Sequence, residues 1–180
     1  HEISGRSTHL QSILEELLNA GTIHDAIVAD SIAQNRNFWA LREAIVAAQN
    51  HLGASLKHDV SLPVGKIARC IEEGSGLVAK LIPGARPYTF GHVGDGNIHF
   101  NISQPEGTKT EAFISKRESV ASALHDLVIR LGGSISAEHG IGRFKREEFH
   151  RTVAPTELQL MRCIKKAIDP KGIMNPGVLF

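Results

Sequence analysis

Cysteine is almost absent from this chain, and the two present, Cys70 and Cys163, stand alone without Cys-x-x-Cys spacing. That excludes a cysteine-built metal site or a disulfide framework and leaves two reduced thiols packed as small hydrophobes. Charge of one sign is also lacking. Twenty Lys and Arg against nineteen Asp and Glu leave a formal net charge of +1, with no basic stripe to track a phosphate backbone, so no nucleic-acid partner is expected. No apolar run approaches the roughly 20 residues that span a bilayer, and the N-terminus has no charged-then-apolar signal pattern. The phosphate-cradling glycine motifs are missing as well: no Gly-x-Gly-x-x-Gly follows the first expected strand, and Gly65-Lys66 lacks the upstream Gly of a phosphate loop. Internal repeats, low-complexity tracts and long linkers are likewise not found. At 180 residues, 42% hydrophobic and 22% charged, the chain reads as one globular domain spanning residues 1–180. His1-Glu2-Ile3-Ser4-Gly5 carries no initiator Met and reads as the end of a strand entering a turn, as though the chain starts mid-protein.

What is present in excess is histidine, ten in all, a side chain useful mainly for metal binding and proton transfer near neutral pH. Its placement follows from the expected elements. Leu10, Ile13, Leu14, Leu17 and Leu18 recur at helical spacing, with Gly21 as a stop. Ile23 to Ala29 reads as a strand, residues 31–52 as a helix, and Ala54 to Val60 as a strand. Pro63 then opens a helix running to about Glu73, which Gly74-Ser75-Gly76 ends. Pro87 to Ser103 reads as two strands around an Asp95-Gly96 turn; Phe113 to Leu131 forms one long helix, and a last helix carries Leu158, Met161, Ile164 and Ile168. The mixture predicts an α+β fold of ferredoxin-like type: a mixed, largely antiparallel sheet with helices on one face.

With Asp95 and Gly96 as a two-residue turn, His92 and His99 stand equally far from it and face each other across the strands. Directly opposed residues have Cβ atoms roughly 4.5–5.5 Å apart, close enough for two imidazoles to share an ion. The strand after the turn alternates Asn97, His99, Asn101 and Ser103 with Ile98, Phe100 and Ile102, one face polar and one for the core. A plainer reading makes the two histidines ordinary solvent-facing sheet residues. A second cluster, Ser136-Ala137-Glu138-His139-Gly140-Ile141-Gly142, offers Glu138 to complete a set of two histidines and one carboxylate. Neighbours on an extended chain point in opposite directions, so His139 is expected to act apart from Glu138, as an acid–base. Zinc or another divalent first-row metal suits such a set as a Lewis acid.

Taken together, Gly91-His92-Val93-Gly94-Asp95-Gly96-Asn97-Ile98-His99, Ser136 to Gly142, and Asp169-Pro170-Lys171-Gly172-Ile173-Met174-Asn175-Pro176-Gly177 resemble the C-terminal domain of the FAD-linked oxidases. That family includes D-lactate dehydrogenase, glycolate oxidase and D-2-hydroxyglutarate dehydrogenase. The resemblance implies an N-terminal FAD-binding domain that is not part of this chain. It further implies a divalent metal, zinc first, on His92, His99 and Glu138, with His139 as base and hydride passing from a 2-hydroxy acid to FAD. Trp39 to Glu43 with Lys57 to Pro63 is most similar to the D-2-hydroxyglutarate branch, which implies a diacid held by Arg42, Lys57 and Asn101. Arg42 could equally be solvated, and Lys57 could snorkel from its strand. Val46 stands where that branch often has Thr, and no Lys follows Gly177, while Asn175 is expected near the flavin. An electron-transfer flavoprotein or quinone as acceptor, a homodimer, and a cytoplasmic or, in a eukaryote, mitochondrial-matrix location are further implications. The alternatives are a D-lactate or glycolate oxidising protein and a non-catalytic metal- or ligand-binding module.

Overall fold

The structure, a computed structural model, describes residues 3–49 and 53–180. It forms two compact units, residues 1–48 and 49–180. The first contains α1 (Ile3–Asn19) and α2 (Ile32–Gln49), whose last residue belongs to the second unit. Residues 3–5 are therefore helical rather than the end of a strand, while His1 and Glu2 lie outside the described residues. Ser31 caps α2 by accepting the Gln34 amide at 3.2 Å, and the Gln34 side chain reaches back to the Asp30 amide at 2.9 Å, a variant of the capping box. The expected strand from Ile23 to Ala29 does not form: no described segment pairs with it, the Asp25 side chain takes the Ala26 amide, and Ile27 is exposed. A short apolar run becomes a strand only where a partner accepts its hydrogen bonds. None of the described helices is long and apolar enough to cross a membrane.

The second unit is an α+β sandwich of one sheet and its helices. Strands β1 (Ser55–Ser61), β2 (Arg86–Phe90) and β3 (Asn97–Ser103) form an antiparallel sheet in the order β1-β3-β2. Helices α3 (Ile67–Leu81) and α5 (Arg117–Arg130) cover one face of it, following a short 3-10 turn at Val64–Lys66 and the single turn of α4 (Thr110–Ile114). Leu56 and Val60 of β1 and Ile98, Phe100 and Ile102 of β3 join Val78, Val120, Leu124 and Leu127 in the core. Helices α6 (Arg146–Thr152) and α7 (Pro155–Ile168) complete the chain, α6 being one that periodicity did not signal.

Three expectations change here. Gly74 does not stop α3, which runs on to Leu81. A Cβ at Gly74 would stand 2.8 Å from Phe100 Cε2, so the missing side chain lets helix and sheet approach closely. The helix expected over 113–131 is divided into α4 and α5, with Ser115 Oγ bonded to the Ala112 carbonyl at the break. The hairpin is also longer than a two-residue turn. Residues 91–96 form a loop with a 3-10 turn at Val93–Asp95, closed by Gly96 at φ +76, where a Cβ would stand 2.2 Å from the Leu62 carbonyl oxygen.

Beneath the sheet, on the helix side, lies a buried polar network. The His58 and His125 rings meet edge-on at 6.0 Å, and His125 Nδ1 pairs with Glu148 at 2.9 Å. Glu148 also accepts Ser122 Oγ at 2.8 Å and Arg151 at 2.9 Å. Burial first, then the His125, Lys145 and Arg117 charges, push His58 down to about 4. Burial likewise lowers His125 despite Glu148, and the Arg151 guanidinium leads the contacts that hold Glu148 down at about 2. A histidine kept neutral by the fold makes the unfolded chain the better proton acceptor below its ordinary value, so stability falls as pH drops from about 6.5 to 4. A depressed carboxyl adds stability above about 4.5 that is lost as pH falls towards 2. Both trends point the same way in acid.

Two outcomes follow for stability. Thermal unfolding between pH 7.5 and 4 should show the midpoint falling with pH, and His58→Phe should flatten that fall; an unaltered slope would assign the protonation elsewhere. Gly74→Ala should cost about 1–3 kcal/mol by overpacking against Phe100, read from the urea midpoint, and an unshifted midpoint would show that the ring yields freely.

Candidate functional site

The face of the sheet turned away from α3 and α5 is polar yet largely buried. Its side chains fall into rows set by the two registers. Asp59 lies opposite His99, which lies opposite Phe90; in the next row Lys57 lies opposite Asn101, which lies opposite Tyr88; Ser61 lies opposite Asn97 at the other end. Asp59, Asn97 and Asn101 are all buried, although each is polar. A sheet face of this kind needs partners for every group on it.

Those partners come mainly from the segment after α5. Ser134 pairs with Ser61 through two backbone hydrogen bonds of 2.8 and 3.0 Å, bringing the chain alongside β1. The next residues turn over the polar face. The amides of Ala137, Glu138 and His139 all donate to Asp59 Oδ2, at 3.2, 3.0 and 2.9 Å, and Ser136 Oγ lies 3.5 Å from the same oxygen. Lys145 Nζ ties the arrangement from behind, donating to the Ile135 carbonyl at 2.9 Å and to the Asp59 carbonyl at 3.3 Å. Burial alone would raise the Asp59 pKa, but the His139 and Glu138 amides, with the His139 and Lys145 charges, hold it below its ordinary value. Asp59 therefore stands as a buried carboxylate.

Around it the expected site residues gather, in a geometry different from the expected one. His99 faces Phe90 and Asp59, not His92, because the 91–96 loop shifts the register. His92 has left the ladder and caps the 3-10 turn, where its Nδ1 is 3.4 Å from Glu138 Oε1. The Glu138 carboxylate also accepts a hydrogen bond from Asn97 Nδ2. One donor atom each from Asp59, His99 and Glu138 lies within 4.8 Å of the other two, a group that has Asp59 where His92 was expected. The His139 ring lies 5.9 Å from that of His99, nearly parallel, and its Nδ1 is 3.6 Å from Asp59 Oδ2. The opposite-pointing geometry expected of Glu138 and His139 does not apply, since this stretch is a turn whose successive amides converge on one acceptor, as in an anion-binding nest.

Lys57 and Asn101 sit side by side in the adjoining row, and Asn101 Nδ2 donates to Gln49 at 2.8 Å. Arg42 is a half-buried residue of α2 in the first unit, and the Val46 side chain lies outside the described residues. Asn175 belongs to the C-terminal segment of the second unit. It takes a left-handed backbone (φ +48) in the turn after α7 and lines a cavity of about 740 Å³ with Met161, Ile164, Met174 and Leu179. The residues missed from sequence are Asp59 and Asn97. Each was visible as a polar residue on the face opposite to core neighbours, but nothing local indicated that this face would be covered.

The cluster also holds buried acceptors that a further donor or a cation would answer. Asp59 Oδ1 and Asn97 Oδ1 are both buried without a hydrogen-bond partner, and native folds rarely leave such acceptors unanswered. Imidazole and carboxylate donors together suit zinc and similar divalent ions.

Sequence comparison agrees with this architecture. The chain belongs to the family of FAD linked oxidases, C-terminal domain, whose model matches residues 2–179. Within it, the chain is 35% identical over 175 residues to a D-2-hydroxyglutarate dehydrogenase of Stutzerimonas stutzeri, covering 97% of this chain and 38% of that protein. It is 36% identical to the mitochondrial D-2-hydroxyglutarate dehydrogenases of Arabidopsis thaliana and Danio rerio, covering 93% of this chain and 28% and 30% of those proteins. The chain thus spans well under half the length of the curated relatives it matches.

Proposed function

We propose that this chain is the substrate- and metal-binding part of an FAD-dependent dehydrogenase of D-2-hydroxy acids, acting on D-2-hydroxyglutarate or a similar diacid. The observation that carries the reading is the convergence of Glu138 and His99 beside His139, with Lys57 and Asn101 one row further along the same polar face. Family membership supports the flavin, and the names of the relatives support the diacid. FAD would accept the hydride and would be held mainly by an N-terminal domain, with Asn175 of this chain near it. His92, His99 and Glu138 would hold a divalent metal, zinc first, which would supply Lewis acidity at the substrate hydroxyl.

The roles of the chain's own residues follow from their positions. His139 is exposed beside the cluster and has a free ring edge with which to take the hydroxyl proton. Successive rows on a strand face are about 6–7 Å apart, so Lys57 and Asn101 stand a few carbon–carbon bonds from the His99 row. That separation suits a second carboxylate at the far end of a short diacid, with Lys57 as the cation for it. The buried sheet behind the cluster keeps water from that side of the substrate. Reoxidation by an electron-transfer flavoprotein or quinone, and a homodimeric assembly, complete the proposal.

Two measurements test it on the protein carrying its flavin domain. Elemental analysis after dialysis against trace zinc should give one equivalent of metal in the wild type and almost none in His99→Ala or Glu138→Ala; a metal-free wild type would refute the centre. His139→Ala should keep metal and flavin yet lose turnover of D-2-hydroxyglutarate by about 10²-fold or more, whereas turnover at the wild-type rate would remove His139 as the base.

A further inference from the structure

Asp59 is one of the three residues whose donor atoms lie at metal-binding separation, but its two oxygens are not equally available. Oδ2 already receives three backbone amides at 2.9 to 3.2 Å, with Ser136 Oγ at 3.5 Å. A carboxylate oxygen offers about two lone-pair directions, so Oδ2 is saturated. Oδ1 is buried and has no hydrogen-bond partner. It lies 3.7 Å from Nδ1 of His99, the residue directly opposite in the sheet. That is longer than a hydrogen bond, and a small rotation of either side chain closes it.

Building on the metal-centre reading above, we propose that Asp59 is the positioning residue of this centre rather than one of its ligands. Oδ2 holds the backbone that carries Glu138 and His139. Oδ1 takes the Nδ1–H of His99, which makes Nε2 the unprotonated nitrogen and the ligand atom. A neutral imidazole has one donor and one acceptor nitrogen, and the partner of the first decides the identity of the second. One carboxylate thereby sets the tautomer of a ligand on its own sheet and the place of a second ligand on another segment.

Asp59→Asn separates these two jobs. The asparagine oxygen can still accept the three amides, which places its NH2 against His99 Nδ1 and forces that nitrogen to accept. The proton then moves to Nε2, the wrong tautomer for a ligand. Long-range ¹H–¹⁵N spectra of the metal-free chain at pH 8, where an ordinary imidazole is neutral, report the tautomer of His99, assigned with His99→Gln. The expected result is Nδ1–H in the wild type and Nε2–H in Asp59→Asn. Zinc affinity, measured by competition with a chromophoric chelator, should fall about 10–100-fold. The cobalt-substituted spectrum should keep the wild-type coordination number.

An Nε2–H tautomer in the metal-free wild type overturns the proposal, and it does so even if the variant fails to fold. An unchanged zinc affinity in a folded Asp59→Asn overturns it too, as does a cobalt spectrum reporting one ligand fewer, which would make Asp59 a direct ligand. Failure of the underlying reading looks different: the tautomer switches as expected while the wild type binds no zinc, so Asp59 orients His99 but the metal centre is absent.

Discussion

The interaction on which this structure depends is the buried carboxylate of Asp59 meeting three consecutive amides of residues 137–139. Hydrogen bonds to an ionised acceptor are the strong kind, and in a site shielded from water they are stronger still. The same contact is costly to break, because it would leave the buried charge of Asp59 without its partners. It joins an outer strand of the sheet, β1, to a segment almost eighty residues away in sequence. Without it Glu138 and His139 would belong to an ordinary exposed turn.

The two faces of the sheet solve opposite problems. Towards α3 and α5, apolar side chains pack tightly enough that position 74 has room for no side chain. On the other face, polar residues are buried nearly as completely, and their satisfaction comes from the 134–145 segment and Gln49. His58 breaks the symmetry by placing an imidazole among the apolar residues, where burial keeps it neutral at ordinary pH. Its neighbour Asp59 points the other way and stays charged. Successive residues on one strand thus hold opposite charge states because a strand sends alternate side chains to different environments.

Much of this was legible in the sequence wherever local pattern decides the outcome. The alternation from Asn97 to Ser103 identified the core face of β3, and Ala54 to Val60 located β1 to within one residue. Legibility failed where a distant segment decides. Asp95-Gly96 reads as a tight turn, but Gly96 is held by the Leu62 backbone and the loop opens to six residues, which moves His92 off the ladder. Gly74 reads as a stop because the Phe100 ring that it accommodates is 26 residues away. The run at 23–29 reads as a strand only if a partner is assumed. Asp59 shows no local motif, since its importance comes entirely from the amides folded onto it.

The shifted register has a physical consequence for the cluster around Glu138. Had His92 faced His99 in the ladder, both imidazoles would have been rigid parts of one hairpin, and Glu138 an addition from outside. Instead Glu138 stands between them: His92 approaches its carboxylate from the loop, Asn97 donates to it from β3, and its backbone hangs on Asp59 from β1. The carboxylate, not the hairpin, is the point at which the segments meet. A site assembled this way forms only when the sheet, the 91–96 loop and the 134–142 segment are all in place. The position of His139 is therefore tied to complete folding of the second unit, because its own amide is one of the three that hold this segment to Asp59.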